Sequence, residues 1–80
     1  MEKCWNKSVT LALEPGKFTT ISNTQEASWV LIEEWPTEDG EALDTALLVF
    51  EAVMKGKKTP EHARFAFIAA AVEAGIEIRE

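Results

Sequence analysis

From Thr59 to Gly75 the chain carries the start and stop signals of one helix, and that helix is apolar on two sides. Thr59-Pro60-Glu61 supplies a cap, a proline at the first helical position and an acid in the first turn. Gly75 supplies the left-handed residue that closes a helix. Between them Ala63, Ala66, Phe67, Ala70 and Ala74 fall on one side, while Phe65, Ile68 and Val72 fall almost opposite. Such a helix is either sandwiched between other elements or gives one face to another subunit. At 80 residues the chain has room for one core and not for two. The expectation is a single domain over residues 1–80.

The elements around this helix follow from shorter signals. Val9, Leu11 and Leu13 alternate with Thr10 and Ala12, the period of a strand with one buried face. Pro15-Gly16 presets a turn, so Phe18 to Ile21 is read as the return strand of a hairpin. Phe18 and Ile21 are three apart and cannot both point inward in a regular strand, which predicts a bulge or an early strand end. Ser22 or Asn23 caps a first helix, each with a capping-box partner three residues on, Gln25 or Glu26. That helix runs to about Glu34 and stops before Pro36. Its stripe is Ala27, Val30 and Leu31, widened by Trp29 and Ile32. After a loop marked by Pro36, Asp39 and Gly40, a second helix shows Leu43, Ala46, Leu47, Phe50 and Met54 at helical spacing. It ends at Gly56, where Lys55, Lys57 and Lys58 complement the helix dipole. Ile76 and Ile78 alternate with Glu77 and Arg79 as a last strand.

The order β-β-α-α-α-β predicts an α+β fold. Its simplest form is a small three-stranded, mainly antiparallel sheet with the helices packed on one face and the last strand on an edge of the hairpin. Which edge it takes is left open.

Charge narrows the partners. With 46% hydrophobic and 28% charged residues the chain is an ordinary globular sequence, expected to fold. Eight Lys and Arg face fourteen Asp and Glu, a net charge of −6, and no Lys or Arg occurs between Lys17 and Lys55. An acidic stretch of that length repels phosphates, so neither nucleic acid nor a membrane surface is an expected partner. Met1 to Lys7 is polar and leads into no signal-peptide core, and the apolar run Phe65 to Val72 is too short to span a bilayer. A reducing cytoplasm is the expected location. The lone Cys4 has no disulfide partner, and one Cys with one His does not make a zinc site. No cofactor is expected.

The candidate functional residues each have a plain reading. His62 needs an orienting carboxylate and a nucleophile to act as a base, and its place in a first helical turn suggests a solvated side chain. Arg64, on a mostly apolar helix, must snorkel or find a carboxylate such as Glu61, and a structural ion pair is favoured over an anion site. Trp35 stands where the first helix stops and either plugs the end of the core or lines a binding groove. Trp29 and Trp5 are alike in this, and three tryptophans in so short a chain favour at least one being partly exposed. Glu33-Glu34 and Glu38-Asp39 lack the spacing of a calcium loop and read as a solvated rim. Cys4, beside Lys3 and Lys7, has no visible catalytic partner.

Trp35-Pro36, Gly40, the helix end at Gly56, Ala63-Arg64 with Phe67 and Ala70, and Glu73-Ala74-Gly75 together resemble a family of small bacterial proteins, domain of unknown function 982. The likeness covers nearly the whole chain. It implies a short bacterial single-domain protein, transfers no activity, and makes Arg64 the first position to mutate. The expected function is a non-enzymatic protein-interaction module that self-associates as a homodimer, with a further protein partner in view. The alternative is a small-ligand-binding regulatory domain recognising an anionic or aromatic molecule between Trp29, Trp35 and Arg64. An enzyme is the least supported reading, because no acid and base are paired.

Overall fold

The alternation around Val9 and Leu11 becomes a long strand, β1 (Cys4–Glu14), in a computed structural model that describes residues 4–36 and 39–79. Pro15-Gly16 turns the chain into β2 (Lys17–Asn23), antiparallel to β1 with Val9 opposite Ile21 and Leu11 opposite Thr19. The last strand, β3 (Glu77–Arg79), pairs antiparallel with the other side of β1, Leu11 lying opposite Ile78. The sheet order is therefore β2-β1-β3, and the edge left open by the sequence is the free side of β1. Ile76 precedes the strand and its amide closes the third helix instead.

Phe18 and Ile21 resolve their conflict differently from expectation. β2 stays in register from Phe18 to Ile21, Ile21 is buried, and Phe18 points to the opposite face, where the Arg79 guanidinium sits 5.0 Å from its ring centre. The irregularities fall in β1, between Cys4 and Val9 and between Ala12 and Glu14. A cation from β3 makes the outward position tolerable for a large ring, so β2 has no need to bulge.

Three helices cover the other face: α1 (Thr24–Glu33), α2 (Glu41–Met54) and α3 (Pro60–Glu73). Asn23 caps α1, its Oδ1 accepting from the Glu26 amide at 2.8 Å, while Glu26 Oε1 accepts from the Ser22 amide at 2.9 Å. Asn23 and Glu26 are one of the cap pairs read from sequence, but the return bond from Glu26 goes to the Ser22 amide, one residue before the cap, and not to Asn23 itself. Ala27, Val30 and Leu31 of α1 are buried, and Trp29 and Ile32 are not. In α2 the buried face is Leu43, Ala46, Phe50 and Val53; Leu47 and Met54 lie at its exposed margin. The rotation follows from α2 packing more extensively on α3 than on α1.

Phe67 of α3 is fully buried at the centre of the core, its ring 5.6 Å from Trp5, 5.6 Å from Trp35 and 6.2 Å from Phe50. Val9, Leu11 and Ile21 from the sheet join the buried helix residues in one cluster. The outer face of the sheet is polar enough to meet water, with the Thr10 and Thr20 hydroxyls paired at 3.0 Å. Glu38, expected in the solvated rim, and Lys3 lie outside the described residues, as does the Cys4 side chain.

Candidate functional site

Arg64 is 8% exposed, and what it reaches explains why. Between Cys4 and Val9 the ladder to β2 is interrupted, which leaves backbone groups of β1 without strand partners. Arg64 Nε donates to the Lys7 carbonyl in that stretch at 2.8 Å. A backbone carbonyl, not Glu61, thus takes the Nε proton, and the guanidinium ties α3 to the irregular part of β1. The spacing along the helix held no hint of that acceptor.

The tryptophans divide. Trp5 is buried and its indole N–H donates to Thr24 Oγ1 at 3.1 Å, linking β1 to the start of α1. Trp35 packs on Phe67 at the end of α1, the core-plugging position, with its indole nitrogen buried and without a hydrogen-bond partner among the described residues. Trp29 is 58% exposed and lines an open groove of about 500 Å³ with Thr19, Thr20, Ile21, Glu26 and Glu34. Neither Trp35 nor Arg64 lines that groove. The three residues singled out for binding are therefore not gathered in one pocket: two hold the core together and one faces solvent.

His62 is exposed, and its Nδ1 lies 2.8 Å from Thr59 Oγ1. The Thr59 hydroxyl is engaged there and makes no side-chain cap to the backbone of α3. Lys55, at the end of α2, pairs with Glu51 at 2.8 Å, and this holds the Glu51 carboxyl below its ordinary range, through the hydrogen bond first and the charge second. Among the described residues no three His, Cys, Asp or Glu side chains are grouped as a metal site would require, and no helix is long and apolar enough to cross a membrane.

One structural role escaped the sequence reading. Gly40, at the cap position before α2, has no side chain to cap it, and the missing cap comes from Glu73 at the far end of α3. The Glu73 carboxylate accepts from the Ala42 amide at 3.1 Å and from the Leu43 amide at 3.3 Å. Glycine suits position 40 twice over: its φ is +153°, which L side chains rarely adopt, and a Cβ there would push the Glu73 carboxylate out of its capping position. The sequence held one weak signal: an acid in the last turn of a helix opposes that helix's own dipole, a position better explained by service elsewhere.

Fold and side-chain roles together define a small α+β protein in which the conspicuous polar residues, Arg64 and Glu73, brace the backbone. The chain belongs to the family described as protein of unknown function, DUF982, whose model matches residues 7–78. That span takes in Gly40, Arg64 and Glu73. Comparison with the curated proteins and with the solved structures gave no match.

Proposed function

We propose that this chain is a non-enzymatic protein-interaction module that self-associates through the outer side of α3. The observation that carries this reading is the exposure of Phe65 and Val72, 59% and 67%, on the side of α3 away from Phe67. The core accounts for Ala63, Phe67, Ala70 and Ala71, takes up part of Ile68, and leaves Phe65 and Val72 of the second apolar face in solvent. Phe65, Ile68 and Val72 form a stripe at helical spacing that contains no charge. For a chain of net charge −6, a neutral apolar stripe is where a second copy approaches with least repulsion. Covering a Phe or Val side chain contributes about 1.5–3 kcal/mol each before the cost of association.

Sedimentation equilibrium tests this directly. A dimer is expected at micromolar concentration, and Phe65→Asp or Val72→Asp should return it to monomer without loss of helical signal. A wild-type monomer under those conditions, or a dimer indifferent to both changes, would remove the proposal. The ligand-binding alternative draws less support, because Trp29, Trp35 and Arg64 do not line one pocket.

A further inference from the structure

We infer that the free edge of β2, with α1 beside it, is a docking groove for an extended, basic segment of another protein. This rests on observations separate from the α3 face. β2 is an edge strand of the sheet and, among the described residues, is paired with β1 alone. The groove beside it is lined by Thr19, Thr20 and Ile21 in succession. Successive side chains of a strand point to opposite faces, so a groove touching three in a row runs along the strand's edge and not across one face. Its other wall is one side of α1, formed by Glu26, Trp29 and Val30. A strand edge facing a helix across a trough is the arrangement into which extended peptides add as a further strand.

The edge carries little of the protection that exposed strands usually have. Its one lysine is Lys17 at the first position; from Phe18 to Asn23 it holds no Lys and no Pro, and both irregularities of the hairpin lie in β1. Its far end is closed, since the Ser22 amide is occupied by Glu26 Oε1. The open length is therefore Phe18 to Ile21, enough for a short segment. A volume of about 500 Å³ falls within the range of clefts that hold a bound molecule.

Charge selects the occupant. Glu26 and Glu34 line the groove, no Lys or Arg does, and none occurs between Lys17 and Lys55. A segment with Lys or Arg complements this wall, and an acidic one is repelled. Trp29 at the lip offers an exposed ring to a guanidinium or ammonium. A second copy of this chain, carrying the same acids along the same edge, is disfavoured there.

The test is an amide-resolved NMR titration of the full chain with a capped hexapeptide alternating lysine and valine. Shift changes are expected along Thr19 to Ile21 and along the side of α1 that carries Trp29. The same peptide with alternate amides N-methylated should bind about tenfold more weakly, having lost ladder hydrogen bonds. Trp29→Ala, a change at an exposed site, should weaken binding about fivefold. A glutamate–valine peptide should leave the spectrum unchanged. Equal binding of the N-methylated peptide would reduce the effect to unspecific charge attraction and overturn the inference. Shifts centred elsewhere would overturn it too, as would β2 shifts that appear on raising protein concentration alone, since the edge would then belong to a second copy.

Discussion

At the scale of single residues, Glu73 and Gly40 form a unit whose two halves lie on different helices. The carboxylate caps α2 across the space that a side chain at position 40 would occupy. Glu73→Ala is expected to cost about 1 kcal/mol, the usual worth of an N-cap. Gly40→Ala should cost about 1–3 kcal/mol, since it adds an unfavourable backbone conformation to the collision. The double variant should lose less than the sum, because removing the carboxylate removes what the new methyl would strike. Urea unfolding of the four proteins measures all three quantities. The Glu51–Lys55 pair makes a different kind of prediction. Its folded-state carboxyl titrates below the ordinary glutamate value, so whatever it contributes is present above that value and is lost as pH falls through the lowered one. An NMR titration should find the Glu51 midpoint low, and Lys55→Met should raise it. Both side chains are exposed, so salt should shrink the difference.

At the scale of elements, the third helix is held at its C-terminus, along its middle and in its first half by different means. Its C-terminus closes with the Gly75 amide on the Val72 carbonyl at 3.1 Å and the Ile76 amide on the Ala71 carbonyl at 2.9 Å, a pair of bonds that positions β3 to return to the sheet. Its middle is anchored by Phe67, and its first half by Arg64 on β1. Arg64→Met keeps the aliphatic packing but leaves the Lys7 carbonyl without its donor, which should cost about 1–3 kcal/mol. For a domain of this size the melting temperature should fall by at least about 4 °C. Arg64→Lys should not restore it, because the bond is made by the Nε–H of a planar guanidinium at a fixed position along the side chain. A variant that unfolded no sooner than the parent would show that the bond adds nothing to stability.

At the scale of the whole molecule, the acidic charge sets opposite salt dependences for the two proposed surfaces. Self-association through the neutral stripe of α3 brings two chains of charge −6 together, so added salt should strengthen it. A basic segment in the β2 groove gains from the same charge, so added salt should weaken it. Seen in one preparation, these opposed trends would separate the two surfaces without any mutation.

The sequence by itself determined the elements and their order, because those depend on local chemistry: alternation in β1, the Asn23–Glu26 box, Pro60 at a helix start, Gly75 at a helix end. It also identified which residues of α3 were apolar on two sides. Tertiary structure alone decided which of those sides met the core, that Val53 and not Met54 was buried, and that Phe18 turned outward under Arg79. It alone gave Arg64 the carbonyl of Lys7 and α2 the carboxylate of Glu73, contacts that join residues 57 and about 30 positions apart. Neighbours along the chain encode caps and periods, whereas a hydrogen bond between distant residues exists only once packing has brought its two atoms within reach.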